Sequence, residues 1–317
     1  MTETCSPQQV QEQQGTIMTE KKQPVYRSGF VIMLGRPNVG KSSLVNALMG
    51  RKVAIVSPKP QTTRRRIQAV LTRPHEQAVL LDTPGIHRSG DLLGKTLSKA
   101  ATEALEGVDG AILVVDAARS RGDEDFAAAR LLAKSPSPKL LVINKMDLIS
   151  SRAEEVIMKI PGELRFEGPV IAASTITGLG VDRISEWIFQ LLKPGPMYFP
   201  ADAVTDQPEE ILIAELIREQ ILLRTEEEVP HDAAVKVEEI AERPGGMMYV
   251  RALVIVARAG QKAIILGAGG RMLKEIGSAA RLSIEQLLGT RVYLDLWVGV
   301  EKDWRNKIGR LRELGYE

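Results

Sequence analysis

The 317 residues are enough for two domains of ordinary size, and the apolar and charged fractions of 44% and 26% exclude a fibrous or wholly disordered chain. No run approaches the roughly 18 apolar residues of a membrane-spanning helix and the N-terminus has no signal-sequence pattern, so we expect a cytoplasmic protein. The net charge of +2 conceals a basic C-terminal part, because residues 251–317 hold 12 Lys/Arg against 7 Asp/Glu. This excess of positive charge fits a polyanionic partner. It fits a basic face exposed to solvent equally well.

The beginning of the chain is polar and rich in Gln. Residues 1–24 have too little apolar surface to offset the entropy lost on ordering, so we predict a disordered tail. This tail holds Cys5, the single cysteine, which cannot form an internal disulfide and therefore fits a reducing compartment. Met18 offers an alternative start of translation.

From Val25 to residue 192, short apolar runs alternate with amphipathic stretches, which is typical of a mostly parallel sheet with helices on both faces. The runs are VIML, AVLLD, GAILVVD, KLLVIN and GPVIAAS. About five residues, Arg73 to Gln77, separate IQAVL from AVLLD, which is too few for a crossover helix. These two strands should therefore form an antiparallel hairpin at one edge of a mixed sheet.

The segment GRPNVGKS, residues 35–42, follows an apolar strand and precedes a helix that should begin near Lys41. It fits the P-loop pattern, in which glycines let backbone N–H groups approach phosphates at a helix N-terminus. We expect Gly35 and Gly40 to shape the loop, Lys41 to reach the β- and γ-phosphates, and Ser42 to bind Mg²⁺. The alternative is a Gly-rich turn that binds nothing.

Two further motifs indicate which base is bound and how Mg²⁺ and the γ-phosphate are contacted. NKMD, residues 144–147, follows KLLVI and places Asp147 at the carboxyl edge of the sheet, where its carboxylate can accept from both N1–H and the exocyclic amine of guanine. DTPG, residues 82–85, follows another strand; Asp82 can hold Mg²⁺ through water and the Gly85 N–H can sense the γ-phosphate. The three motifs together predict a GTPase.

With the switch segment PQTTRRR at residues 60–66, these motifs resemble the Era family of GTPases over about residues 25 to 317. The resemblance implies that Thr63 binds Mg²⁺ in the GTP state and releases it after hydrolysis, as in a binary switch. It also implies that the loop Ala173–Thr175 lies behind the guanine, with Thr175 where alanine is usual. The expected contacts to GTP or GDP are Gly35, Arg36, Pro37, Asn38, Val39, Gly40, Lys41, Ser42, Ser43, Asp82, Thr83, Pro84, Gly85, Ile86, Asn144, Lys145, Met146, Asp147, Ser174 and Thr175.

The expected catalytic groups are Lys41, Thr63, Gly85 and Asn38. Ile86 stands where many GTPases have the glutamine that orients the attacking water, so unaided turnover should be slow. Related GTPases with an apolar residue there use a P-loop asparagine to bind K⁺, which implies a K⁺ site at Asn38 and the backbone of residues 57–59. In the alternative interpretation, Asn38 only braces the loop.

Residues 193–210 carry four of the 17 prolines and predict an interdomain linker. A smaller α+β domain should follow over residues 211–317: a helix near 210–223, strands near 232–240 and 248–257, a Gly-rich loop at 267–270, two helices, a strand and a last helix beginning near Lys302. The loop GAGG, residues 267–270, lies between an expected strand end and an amphipathic helix, as in the G-x-x-G loop of KH domains.

The Era resemblance implies that this second domain is a type II KH domain. The expected RNA contacts are Gly267, Ala268, Gly269, Gly270, Arg271, Lys274 and Arg281. His231 should cap or pack locally rather than contact RNA. The partner implied by the family is the single-stranded 3′ end of small-subunit ribosomal RNA, rather than DNA, with a role in maturation of the small subunit.

Three other functions remain as alternatives. A membrane-associated signalling GTPase would use the basic residues Lys307, Arg310 and Arg312, which at most suggest weak peripheral association. A tRNA-modifying GTPase would share the nucleotide motifs but needs a C-terminal catalytic cysteine, which this sequence does not have. A purely structural RNA-binding protein would leave Lys41 and Asp147 without a role.

Overall fold

A computed structural model describes residues 25–59, 62–85 and 92–316. The expected tail at residues 1–24, with Cys5 and Met18, lies outside the described residues, and so does Ile86. In the part of the chain that the structure describes, no helix is long and apolar enough to span a bilayer.

The first domain is built on a mixed, mostly parallel sheet, as the sequence predicts. Its strands are β1 (Arg27–Leu34), β2 (Ile67–Arg73), β3 (Glu76–Asp82), β4 (Gly110–Asp116), β5 (Lys139–Asn144) and β6 (Val170–Ala172). They lie in the order β2-β3-β1-β4-β5-β6. Among these six strands only β2 runs antiparallel to its neighbour, pairing Arg73 with Glu76, so the predicted edge hairpin is confirmed with a turn of two residues.

Helices cover both faces of this sheet. They are α1 (Lys41–Met49), α2 (Leu92–Glu103), α3 (Asp123–Ala133), α4 (Ala153–Leu164) and α5 (Val181–Leu191). Along β1, Val31 and Met33 face the layer that contains α1 and α5, whereas Ile32 and Leu34 face the layer of α3 and α4. Because both faces are covered, the strands are apolar at nearly every position.

The expected linker lies against the first domain. It begins with a short strand, β7 (Lys193–Pro194), which pairs antiparallel with the start of β1. Farther along, the Val204 carbonyl accepts from Val70 N at 2.9 Å, and the Gln77 side chain accepts from the backbone N–H of Tyr198 at 2.9 Å. Backbone and side-chain hydrogen bonds therefore fasten much of residues 193–206 to the sheet.

The second domain is an α+β unit of the KH type. Its helices are α6 (Glu209–Arg224), α7 (Val229–Asp232), α8 (Ala259–Leu266), α9 (Arg271–Leu288) and α10 (Ile308–Glu313), and its strands are β8 (Ala234–Arg243), β9 (Met247–Val256) and β10 (Val292–Val300). The strand order is β10-β9-β8, with β10 parallel and β8 antiparallel to β9. Helices α6, α8 and α9 pack on one face through Ile217, Ile265 and Ile276.

Three local predictions in this domain are wrong. Two helices are expected after the Gly-rich loop, but α9 alone lies between that loop and β10. The run AIIL that ends at Leu266 belongs to a helix rather than to a strand end, because the Gln261 side chain accepts from the backbone N–H of Arg258 at 3.0 Å and caps the first turn. A four-residue apolar run does not distinguish a strand from a buried helix. The last helix begins at Ile308 rather than near Lys302, because a 3₁₀ turn over Trp304–Asn306 precedes it.

The two domains share apolar contacts. Leu93 and Leu97 of α2 pack with Trp304 and Leu311 of the second domain. Ile55, in the loop after α1, lies in the apolar core of the second domain. The segments that are expected to respond to the nucleotide therefore lie next to the second domain.

Candidate functional site

The P-loop connects β1 to α1 at the carboxyl edge of the sheet. Gly35 has a φ of 149°, and a Cβ there would lie 2.4 Å from the Val114 carbonyl oxygen. Gly40 has a φ of 98°, and its Cβ would lie 2.3 Å from Asn144 Nδ2. Only glycine fits either position, because a side chain would meet both steric conflict and left-handed backbone strain.

Lys41 is buried with 6% of its surface exposed. Its Nζ donates to the carbonyl oxygens of Gly35 and Arg36, each at 3.1 Å, so the ammonium group folds back over the loop. Burial lowers the pKa of Lys41 to about 8, against the opposing negative charge of Asp82. Phosphate oxygens at this position would restore the charge compensation that the ammonium group has lost.

Three side-chain oxygens converge at the end of the loop. Ser42 Oγ lies 2.8 Å from Thr63 Oγ1 and 2.6 Å from Asp82 Oδ2. Asp82 is fully buried, and its Oδ1 finds no hydrogen-bond partner among the described residues. Burial raises the pKa of Asp82. A hard cation that prefers oxygen ligands, such as Mg²⁺, fits this donor set and would relieve the uncompensated carboxylate.

The NKMD residues divide between the loop and the base site. Asn144 Nδ2 donates to the Val39 carbonyl at 2.9 Å and so braces the P-loop. Lys145 Nζ donates to the Asn38 carbonyl and to Asp116 Oδ2, both at 2.7 Å. Met146 is buried in the core beneath them.

The Asp147 carboxylate is half-buried, with its Oδ1 accepting from Ser174 Oγ at 2.5 Å. Ser174 itself is fully buried, and its Oγ also accepts from the backbone N–H of Thr177 at 3.2 Å. The loop Ala173–Thr175 therefore holds the carboxylate in place, and Thr175 follows directly after Ser174, the residue that does so.

A cleft of about 470 Å³ lies over the P-loop, and Asp82 and Asp147 are not among its lining residues. Its lining is Pro37, Asn38, Gly40, Lys41, Ser42, Ser43, Ile55, Val56, Ser57, Pro58, Thr62, Thr63, Gly85, Arg119, Lys145 and Leu223. Gly85 is close to the P-loop, since a Cβ there would lie 2.7 Å from Pro37 N. Asn38 Nδ2 donates to the Pro58 carbonyl at 2.6 Å, so the P-loop is joined to the segment expected to help bind K⁺.

Some predicted site residues direct their side chains elsewhere. Arg36 pairs with Asp125 at 3.1 Å, and Thr83 Oγ1 donates to the Met33 carbonyl at 2.8 Å. Val39 and Pro84 are buried. These residues shape the loops that line the cleft.

Sequence reasoning missed Asp116, which is 2% exposed and anchors Lys145. Its signal was present, because Asp116 ends strand β4 as Asp82 ends β3. Leu223 was also missed, since it reaches the cleft from α6 of the other domain and no local pattern indicates that contact.

A second cavity of about 440 Å³ lies between α9 and β10. Its lining is Gly270, Leu273, Lys274, Gly277, Ser278, Arg281, Val292, Tyr293, Leu294 and Leu296. The members on α9 recur every three or four residues, so they form one face of the helix. Sequence reasoning missed Gly277 and Tyr293, although an isolated glycine inside a helical pattern is a sign of close approach.

The Gly-rich loop leads into this groove. Gly267, Gly269 and Gly270 have φ values of 69°, 60° and 80°, and a Cβ on Gly267 would lie 2.8 Å from Met272 Cβ. Ala268 is part of the same turn, and the side chains of Arg271, Lys274 and Arg281 are exposed beyond it. The arrangement combines an accessible backbone, a cationic rim and an apolar groove, which suits single-stranded nucleic acid.

Two families of known proteins match the chain. Residues 30–145 match the family described as 50S ribosome-binding GTPase, and residues 228–305 match the KH domain family. The chain is 45% identical to the GTPase Era of Halothermothrix orenii, over 92% of this chain and 99% of that protein. It is 46% identical to the GTPase Era of Carboxydothermus hydrogenoformans, over 92% of this chain and 98% of the relative.

The fold is similar to solved structures with the same two domains. One is Era in complex with MgGDPNP and nucleotides 1506–1542 of 16S ribosomal RNA, which aligns with a TM-score of 0.87 at 37% identity, covering 92% of this chain and 99% of that one. A variant of Aquifex aeolicus Era bound to GDP·AlF₄⁻ also aligns with a TM-score of 0.87 at 37% identity, covering 92% of this chain and 99% of that one.

Proposed function

Because the chain belongs to the Era family and is therefore a GTP hydrolase, we propose that it also binds the 3′ end of small-subunit ribosomal RNA and acts in assembly of that subunit. The observation that carries the proposal is the presence, in one chain, of a phosphate-binding cleft and a cationic Gly-rich groove. Support comes from the related Era that was solved with nucleotides of 16S ribosomal RNA.

In this proposal, the P-loop N–H groups and Lys41 hold the β- and γ-phosphates. Asp147 accepts hydrogen bonds from guanine, and Ser174 keeps the Asp147 carboxylate oriented. Ser42, Thr63 and Asp82 hold Mg²⁺, which when bound neutralises negative charge on the phosphates. GTP binding would separate Lys41 from the loop carbonyls that it now contacts.

The proposal also includes a K⁺ ion that binds beside the phosphates and assists hydrolysis. Asn38 and the backbone of residues 57–59 would hold it, since Asn38 already contacts the Pro58 carbonyl at 2.6 Å. GTP hydrolysis should then be faster in KCl than in NaCl of equal ionic strength, and Asn38→Ala should remove the difference while retaining nucleotide binding. Equal rates of the unmodified protein in both salts would contradict the K⁺ site, and Asn38 would then only brace the P-loop.

The RNA contacts are proposed at the loop Gly267–Gly270 with Arg271, Lys274 and Arg281. Lys274→Ala should weaken binding of a 3′-terminal small-subunit RNA oligonucleotide and reduce the slope of log affinity against log salt by about 0.7, as expected for one lost phosphate contact. Lys159→Ala is a matched control, because this exposed lysine lies in the first domain and pairs with Glu163 at 3.5 Å. An unchanged salt slope in Lys274→Ala would contradict the assignment.

The RNA itself is tested by crosslinking in cells and sequencing of the bound fragments. We expect reads at the small-subunit RNA 3′ end, and reads spread over messenger RNA without that end would overturn the proposed partner. We also expect tighter RNA binding with a GTP analogue than with GDP, since the switch segment contacts both domains. Equal affinities would contradict that coupling.

A peripheral contact with anionic lipid has less support. Lys307 pairs with Glu301 at 3.4 Å, and Arg310 pairs with Glu301 at 2.8 Å and with Glu313, so the two cations have two carboxylate partners between them. The proposed location is therefore the cytoplasm with the small subunit, and sedimentation with vesicles instead of subunits would contradict it.

A further inference from the structure

Helix α6 of the second domain contacts the loop that follows α1 in the first domain. Glu219 is 3% exposed, and its Oε1 accepts from the backbone N–H of Val56 at 3.0 Å. Its Oε2 pairs with Lys52. Leu223, one turn farther along α6, lines the nucleotide cleft beside Val56. The beginning of the loop is thus fixed by a carboxylate from the RNA-binding side of the molecule.

The end of the same loop is fixed by Arg218. This side chain is 1% exposed, and its Nη2 donates to the carbonyl oxygen of Thr62. Glu215 holds the guanidinium in place, with Arg218 Nε to Oε1 at 2.9 Å and Nη2 to Oε2 at 2.5 Å. Thr63 follows immediately, with its hydroxyl 2.8 Å from Ser42 Oγ.

We infer that Glu219 and Arg218 are positioning residues for GTP hydrolysis. They hold Val56 and Thr62 on either side of the switch loop, so that Thr63 and the backbone of residues 57–59 keep their places above the phosphates. Neither side chain needs to touch GTP. The inference rests on the proposed contact of Thr63 with the Mg²⁺ of the nucleotide, and it adds that the second domain completes the catalytic site of the first.

The physical basis is preorganisation of the loop. A loop that is fixed at both ends loses its entropy before the substrate binds, whereas a loop with free ends must order during the reaction. The P-loop and Asp147 lie outside this loop and supply contacts to the ground state. Loss of the α6 contacts should therefore lower kcat while the KM for GTP and the affinity for GDP stay nearly unchanged.

The test compares three substitutions in α6 of the full chain. Glu219→Ala removes the acceptor for Val56 N–H and should lower kcat roughly tenfold or more. Glu219→Gln keeps a carbonyl oxygen at that position and should recover most of the rate. Arg224→Gln is the control, since Arg224 lies on the same helix and donates to Gln220 instead of the loop.

Hydrogen exchange of residues 56, 57, 59, 62 and 63 is the second readout. In Glu219→Ala these amides should exchange faster than in the unmodified protein, while Glu219→Gln and Arg224→Gln should resemble the unmodified protein. Unchanged kcat and exchange in Glu219→Ala would overturn the inference, and so would an equal loss of kcat in Arg224→Gln.

Arg218 needs a different design, because Arg218→Ala would leave Glu215 charged and buried and could prevent folding. The double substitution Glu215→Gln with Arg218→Met removes both charges, and we expect a folded protein with lowered kcat and faster exchange near Thr62. An unaltered kcat in this folded protein would contradict the role of Arg218. Thr63→Ala distinguishes failure of the proposed function from failure of this inference. If Thr63→Ala leaves kcat unchanged, the proposed role of Thr63 and this inference both fail. If kcat falls in Thr63→Ala but not in Glu219→Ala, the inference alone is overturned.

Discussion

Replacement of Arg64 by alanine should uncouple the two domains. Arg64 belongs to the switch segment of the first domain, is 1% exposed, and points into the second domain. Its Nη1 donates to the Ala233 carbonyl at 2.7 Å, and its Nη2 donates to the carbonyls of Pro230 and His231 at 3.2 and 2.7 Å. Burial lowers the pKa of Arg64, but the group stays charged near neutral pH.

The size of the effect follows from these contacts. A hydrogen bond from a charged donor contributes about 1.5–3 kcal/mol net, and three bonds of one group are not additive, so we expect a loss of about 3–5 kcal/mol of coupling free energy. With an m value of about 1–3 kcal/mol/M in urea, the midpoint for separation of the domains should fall by about 1 M or more.

Trp304 reports on this interface, since it is fully buried and its ring centroid lies 6.0 Å from the Arg64 guanidinium carbon. In a background of Trp187→Phe and Trp297→Phe, urea unfolding is followed by Trp304 fluorescence and by circular dichroism. Arg64→Ala should move the fluorescence transition to lower urea, ahead of the loss of secondary structure.

Arg66→Ala is the matched control for Arg64→Ala, because Arg66 is exposed two positions along the same segment. Surface substitutions usually change stability by less than about 0.5 kcal/mol, so its transitions should stay near those of the parent. Equal midpoints for Arg64→Ala and Arg66→Ala would refute the reasoning that the three carbonyl contacts couple the domains.

Two other substitutions test single contacts. Ser174→Ala removes the 2.5 Å hydrogen bond to Asp147 and should weaken GDP binding roughly fivefold, or about 1 kcal/mol. A fluorescent-nucleotide titration measures this change. An unchanged affinity would mean that the Asp147 carboxylate keeps its orientation without the hydrogen bond from Ser174. For His231, burial lowers the pKa below 6.5, and the charges of Arg64 and Arg305 lower it further. The folded protein therefore binds this proton less readily than the unfolded chain, so stability is fully present above about pH 6.5 and declines as pH falls through the lowered pKa. His231→Gln should flatten the decline of Tm over that range, and identical pH profiles would contradict the sign.

Much of the nucleotide site could be predicted because its signals are local. The strand-loop-helix pattern around residues 35–42 and the strand ends at Asp82 and Asn144 fix which groups meet at one edge of the sheet. In the second domain, the four residues before Gly267 were assigned wrongly, because their hydrophobicity is compatible with either secondary structure.

The sequence by itself determined the order of the strands in the first domain and the P-loop positions that only glycine can occupy, since periodicity and backbone sterics act over a few residues. Tertiary structure alone decided that Glu219 reaches Val56, 163 residues away, and that Arg64 reaches His231, 167 residues away. These partners are backbone groups, which every residue carries, so no side-chain pattern in the sequence could identify them. The link between the GTP-hydrolysing domain and the KH domain is thus set by packing, while the P-loop is set by local sequence.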